Sequence, residues 1–566
     1  MKRYILAFLM SLLFIMGIST VQASPVQANL DNAFFADQIP AGAEVFAAIR
    51  TDAGYLDQLD GIFNQLADGV SSILSIVGVP ANDVSLYQSL DMAVQSAGLE
   101  GDFQTTIRPW LGDKIGIGMY QGESSLVETL IIVDIANREL AEAFIENAGR
   151  GALEVSTEGN FTVYSNSNTP TLIAVGDDSA YIATKRDLIP FNGNPTDSLA
   201  NNPDFQAAVG ALSAGSYNIM LISDSQALMQ SSLNTTPMEL APFYGGYTAI
   251  GATIVDGVSA TLDIVQLGVS DDILNYINVP IDTAFTQYIP ADATAVLHGT
   301  NVLPLLNLIV AQASQNTGQD VQAQLGQLDK ILGFNIFDLL LSSDFAVYLT
   351  YNPDGIEALL NAPSVVDGGV LSTDDIDLNA LTQAGFVFKI TNPEDAQKLI
   401  TQLSMLLGMV ANSLPNATIT TEQIDGRDVV VLTANTQRGR LVDVIIGAND
   451  AVLVMGTRES ATAILTGNGG FSSSATYQTA LRYTLPTPTH YWFLDRNSVV
   501  AALDLAVLWL TPMSAGSVES NQAMLETATE IHNQIEIFAQ LFNSATLTTS
   551  VKDKTLQIRA VITLSE

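Results

Sequence analysis

Cysteine is absent from all 566 residues. That excludes disulfides, a thiolate nucleophile, cysteine-held metal and any lipid attached through a thiol, so stability has to come from the size of the core. Histidine occurs only at 298, 490 and 532, without the His-Glu-x-x-His spacing that places two ligands on one helix face. No Gly-x-Ser-x-Gly elbow offers a serine nucleophile, and no Gly-Lys pair offers the end of a phosphate loop. Bases are scarce as well: 21 Lys and Arg face 59 Asp and Glu, a formal net charge of −38. A field of that sign repels phosphate backbones and anionic lipid surfaces, which argues against nucleic acid as a partner. The acids are scattered rather than run together, the pattern of a solvated acidic surface.

What is present is material for burial. Apolar residues make up 48% and charged residues 14% of the chain, a globular composition. The length exceeds what one core usually serves, so two domains are the expectation. Met1-Lys2-Arg3 precedes an uncharged stretch from Tyr4 to Ile18 and then Val21-Gln22-Ala23, the basic, apolar and small-residue order of a secretory signal. The expectation is a cleaved signal over residues 1–23, or 1–28 if Val26-Gln27-Ala28 is the site used, and an extracytoplasmic product. The apolar stretch is short for a membrane span of about 20 residues, and "QIRAVITLSE" has no anchor tail, so no transmembrane segment is expected once the signal is gone.

Ile-Pro-Ala-x-Ala is written twice, at Ile39–Ala43 and Ile289–Ala293, each time before an apolar alternating run. Further matches follow in the same order. "GDKIGIGMY" from Gly112 answers to "SDFAVYLTY" from Ser343, setting Asp113 against Asp344. Asn137 and Asn392 each stand where a strand hands over to a helix, as N-caps accepting from an orphan backbone N–H. "LIAVGDDSAYIATKRD" matches "DVIIGANDAVLVMGTRE", and "DFQAAVGAL" matches "TYQTALRYT". "ATIVDGVSATLDI" matches "TSVKDKTLQIRAV", with Asp256-Gly257 a two-residue hairpin signal. The expected fold is α+β: two tandem, homologous domains, 34–268 and 276–566 with a connection over 269–283, built on largely antiparallel sheets with helices on one face.

The stretch Pro109-Trp110-Leu111-Gly112-Asp113 running into a strand, followed later by "PDFQAAVGALSAGSYNIMLISD", resembles the exported bacterial proteins catalogued as domain of unknown function 3352. The resemblance covers nearly the whole chain after the signal, although the second unit has "FDLLLSS" where the first has Pro-Trp-Leu-Gly. It implies an envelope or secreted location, no assigned activity and no functional residues.

Individual residues invite chemistry but do not converge on it. Asp113 and Asp344, matched at strand entries, read as turn residues in separate domains rather than an acid and base pair. Arg186 and Arg458, each opening a helix and followed by an acid, read as partners in local helix-surface ion pairs. Asp375, Asp377 and Asn379 alternate like calcium ligands, but Ala380 stands where the loop needs glycine and Phe386 where it needs glutamate. "GIGMYQG", Gly116 to Gly122, reads as a flat strand. The apolar stretches Ser498–Leu510 and Ala523–Phe542 read as buried or inter-domain helices. No catalytic, cofactor or metal residue is assigned. The expectation is a non-enzymatic binding or structural protein with a protein or apolar small-molecule partner. A carrier of an apolar ligand such as a lipid is the alternative, and a carboxylate-dependent hydrolase is third; that last would require scattered acids to meet in one pocket.

Overall fold

The computed structural model describes residues 30–76, 85–96, 99–122, 127–149, 152–166, 169–213, 216–225, 246–255, 259–271, 277–304, 333–352, 382–411, 416–435, 440–501 and 539–565, with a few single residues between them. The expected signal, the Asp256-Gly257 turn, the Asp375–Asn379 loop, His532 and most of the two late apolar stretches lie outside the described residues.

Short runs of β-branched, aromatic and small residues form the strands of the first half. They are β1 (Val45–Arg50), β2 (Leu111–Gln121), β3 (Val127–Ile135), β4 (Glu154–Glu158), β5 (Phe161–Asn166), β6 (Thr169–Val175), β7 (Ser179–Ala183), β8 (Ile219–Asp224), β9 (Tyr247–Val255) and β10 (Ser259–Gln266). The second half contributes β11 (Ala295–Thr300), β12 (Asp344–Tyr351), β13 (Thr382–Lys389), β14 (Ala417–Ile424), β15 (Arg427–Asn435), β16 (Arg440–Ala448), β17 (Val452–Thr457), β18 (His490–Asp495), β19 (Phe542–Lys552) and β20 (Thr555–Leu564). Every pairing among them is antiparallel, and together they make one twenty-stranded sheet.

Across the first half the order is β4-β5-β6-β7-β3-β2-β1-β8-β9-β10. Across the second it is β14-β15-β16-β17-β13-β12-β11-β18-β19-β20, the same order shifted by ten strands. The halves meet edge to edge where β10 pairs with β20. Asp263 lies directly opposite Arg559 there, and both are almost fully buried. Arg559 Nε donates to Asp263 Oδ1 at 2.7 Å and Nη2 to Oδ2 at 2.8 Å, while the Tyr217 hydroxyl donates to Oδ2 at 2.7 Å. Joining the halves removes two open sheet edges.

The start of each half is built alike. The Ala43 N–H donates to the Pro40 carbonyl at 3.3 Å and the Ala293 N–H to the Pro290 carbonyl at 3.2 Å. Val45 then pairs with Met119 and Ser223, as Ala295 pairs with Leu349 and Leu494.

Helices cover both faces of the first half, where one covered face was expected. Helices α1 (Ala53–Ile76), α2 (Leu86–Ser96) and α3 (Phe103–Thr106) pack on Ala47, Ile49, Ile117 and Ile131. Helix α5 (Pro203–Ala211) packs through Phe205 and Val209 on Phe46, Ala48 and Ile222 of the other face, and α4 (Arg138–Gly149) follows β3. The reason is the continuous apolar run Val45 to Ile49, which sends oily side chains both ways from one strand. The second half has α6 (Ile336–Leu341), α7 (Pro393–Ala411), α8 (Arg458–Leu465) and α9 (Ala475–Leu481). The expected N-caps are in place: Asn137 accepts from the Leu140 N–H at 3.0 Å, and Asn392 from the Glu394 N–H at 3.1 Å. The connection after Gly268 packs Val269 and Leu274 against Val551 and Leu556.

Candidate functional site

Where β11 begins and β12 and β18 end, side chains enclose a cleft of about 610 Å³. Backbone hydrogen bonds fix its frame: the Thr294 N–H donates to the Leu349 carbonyl, and the Asp495 N–H to the Thr294 carbonyl, both at 2.8 Å. Three carboxylates from separate elements face it. Asp292 belongs to the turn after Pro290, Glu459 is the second residue of α8, and Asp495 ends β18. No Lys, Arg or His stands among the described residues lining it.

Glu459 Oε2 accepts from Gln383 Nε2 at 2.6 Å. Asp495 Oδ1 accepts the Ser498 N–H at 3.0 Å, capping the helical turn that follows, while Ser498 Oγ donates to the Thr294 carbonyl at 2.6 Å. Burial pushes the Asp495 carboxyl up to about 6; the N–H groups of Ser498 and Asn497 and the charge of Arg496 pull it the other way and are outweighed. Thr350, 8% exposed, contributes to the lining, and its hydroxyl has no hydrogen-bond partner.

The corresponding place in the first half is filled. The Glu44 N–H donates to the Met119 carbonyl at 2.9 Å and the Asp224 N–H to the Glu44 carbonyl at 2.8 Å, the same frame. By that register Asp224 corresponds to Asp495 and Tyr120 to Thr350. The buried Tyr120 ring occupies the space, its hydroxyl 3.5 Å from the Pro40 carbonyl, and Gly118 makes room, since a Cβ there would lie 3.1 Å from that hydroxyl. In the second half the ring sits two residues earlier on the same strand face. Tyr348, in the place of Gly118, bonds Ser460 Oγ at 2.7 Å. It fits because Gly385 and Gly456, paired across β13 and β17, lack a Cβ that would fall 2.5 Å from its hydroxyl. Their counterparts are Leu130 and Ala183. Moving one ring by two residues thus leaves the second half open at Thr350.

The residues singled out in the sequence lie elsewhere. His298 is fully buried, its Nε2 3.2 Å from Asp344 Oδ1 and its ring 5.3 Å from that of Phe285. Asp344 also accepts the Asp282 N–H at 2.7 Å. His490 has Nδ1 3.3 Å from the hydroxyls of Thr489 and Thr549, and burial lowers its pKa. Asp113 donates its N–H to Asp134 Oδ2 at 2.8 Å in the first half. Its match with Asp344 needs correction: Asp344 pairs with Thr300 as Lys114, not Asp113, pairs with Arg50. Nor are the arginine pairs local. Arg186 reaches Glu158 on β4, and Arg458 reaches Asp443 at 2.7 Å and Glu422 at 2.9 Å on β16 and β14. Three of the acids that the sequence scatters, Asp292, Glu459 and Asp495, line this cleft; the capping pattern Asp495-Arg496-Asn497-Ser498 was the one available signal. Among the described residues no group of three or more His, Asp or Glu could hold a metal ion.

On one face of the second half a row runs across neighbouring strands through Met455, Phe386, Val347, Leu297 and Trp492. Trp492 is 52% exposed and Phe386 39%. No described helix is long and apolar enough to cross a membrane.

A family model described as a protein of unknown function, DUF3352, matches residues 5–557. No curated protein matches the chain. Among solved structures, crystal form IV of TP0453 aligns at a TM-score of 0.22 and 10% identity, covering 44% of this chain and 83% of that one.

Proposed function

Since the chain belongs to the DUF3352 family of proteins of unknown function, we propose that it is an exported, non-enzymatic binding protein whose two homologous lobes arose by tandem duplication. One lobe has become the closed support, and the other holds a small polar ligand in the cleft at Thr350. The single observation carrying this is that cleft, polar and edged by carboxylates, at the place Tyr120 fills in the first lobe. The duplication is supported by the repeated strand order, by the 250-residue spacing of the Pro40 and Pro290 turns, and by the paired asparagine caps. Export draws on the basic and apolar N-terminal sequence; the protein recovered from cells should lack its first 23 to 28 residues by intact mass.

A binding role fits better than hydrolysis because the cleft brings carboxylates without a histidine or a metal-holding cluster among the described residues, and Ser474, which lines it, is engaged as the N-cap of α9. The carboxylate-dependent hydrolase keeps one supporting feature, a carboxyl near 6 at Asp495. The apolar-carrier alternative draws on the exposed row around Trp492, and a lipid co-purifying with the chain would favour it. The test is to purify the protein from its native compartment, release bound molecules by heat and identify them by mass spectrometry. A polar small molecule should be released by the wild type and be absent from Thr350→Tyr and Thr350→Leu, two variants that occupy the cleft. Its equal release from folded variants, or its absence throughout, rejects the cleft as the binding site.

A further inference from the structure

Resting on the assignment of the cleft as a binding site, we propose that its ligand is a small organic cation with two or more amino groups, a linear polyamine in chemical class. Three features select that class. Several acids elsewhere on the second lobe are held in ion pairs, Asp443 and Glu422 with Arg458, Asp282 with Lys389 and Asp450 with Arg427, while Asp338 and Glu394 stand in the first turns of helices. Asp292, Glu459 and Asp495 have no ion-pair partner among the described residues, and no base lines the cleft with them. An anion entering would meet three like charges, whereas an ammonium group meets acceptors from three directions.

The second feature is spacing. The three carboxylates come from the turn before β11, the head of α8 and the end of β18, and no three acids among the described residues are close enough to hold one metal ion. Separate carboxylates around a volume of about 610 Å³ suit a cation whose charges are spread along a chain. The third is Thr350, whose buried hydroxyl lacks a partner in a wall of the same cleft. An N–H donor arriving there would give the oxygen the bond it lacks, and buried polar groups without one are costly. The surplus of acid over base across the chain, net −38, would draw such a ligand in from solution. Burial holds part of Asp495 protonated near neutral pH, so an ammonium beside it would displace a proton.

Isothermal titration of the full chain with spermidine in about 0.15 M salt, where long-range surface attraction is largely screened, tests this. Saturable one-to-one binding is expected, weakened at least about tenfold in the near-isosteric Asp495→Asn variant, which removes the half-buried acid, and about three- to fivefold in Glu459→Gln, whose carboxylate is exposed. Asp450→Asn, which deletes an exposed acid outside the cleft, should leave affinity within about twofold, because exposed pairs are worth little. Magnesium ion and glucose serve as the bare-cation and neutral-polyol probes. Spermidine binding no tighter than magnesium, or equally weakened by Asp450→Asn, overturns the proposal as a surface-charge effect. Binding of glucose but not spermidine, lost in Thr350→Leu, rejects the cation and leaves the cleft standing. No binding of either probe, with no molecule released from the native protein, rejects both. Folding of every variant is checked by its thermal transition.

Discussion

A buried arginine at the seam shows how much one side chain can decide here. Arg559 and Asp263 are 2% and 3% exposed as side chains, held by two near-parallel hydrogen bonds, with Tyr217 and Ser213 completing the network. Removing one member leaves an uncompensated buried charge, so Arg559→Met should cost about 3–5 kcal/mol in denaturant unfolding. Replacing both, Arg559→Met with Asp263→Leu, should recover most of that loss, since the pair itself roughly offsets its own desolvation. A double variant as unstable as the single would contradict this account of the seam.

Asp495 carries a different residue-scale consequence. Its folded-state pKa, about 6, lies above the ordinary 3.8, so the folded chain holds the proton more tightly than the unfolded one. Stability should therefore fall as pH rises from about 4 to 6 on account of this group, with the penalty complete above 6. Asp495→Asn keeps a capping acceptor and removes the charge. It should raise stability at pH 8 by up to about 2–3 kcal/mol and by little at pH 4, measured by unfolding at both values. A variant equally stabilised at both pH values would show that burial of the charge is not what strains the site. A carboxylate kept at such a cost beside a cleft is what a binding site retains and a core does not.

At the scale of elements, caps and strands were legible because their signals are local. Asn392 followed by Pro393 announces a helix start, and Asn392→Ala should cost about 1 kcal/mol of thermal stability because orphan N–H groups of α7 lose their acceptor. The packing of Tyr348 was not legible, since it depends on Gly385 and Gly456, far along the chain, being bare beneath its hydroxyl. Gly385→Ala should destabilise by about 1–3 kcal/mol through overpacking, and adding Tyr348→Phe should recover part of that by withdrawing the hydroxyl. If the second change only adds to the loss, the ring is not seated as described. The same distance in sequence hid the cleft. Asp292, Glu459 and Asp495 line one cleft only once the strands are in register, while the matched Asp113 and Asp344 proved one residue apart, an offset that shows only in the strand pairing.

At the scale of the whole molecule, the repeated Ile-Pro-Ala stretches and the matched segments after them pointed to two like units but not to a strand order, which only the strand pairing gives. Their union into one sheet was not legible, since edge pairing of β10 with β20 leaves only alternating apolar residues as its mark. Similar lobes with one ring moved between them make an uneven molecule: a cleft at Thr350 where the first lobe has the buried Tyr120 ring. The number of polar small molecules retained per chain in native mass spectrometry tests that claim most directly. One molecule per chain is predicted, vanishing in Thr350→Leu; two per chain, or one that survives that substitution, would contradict it.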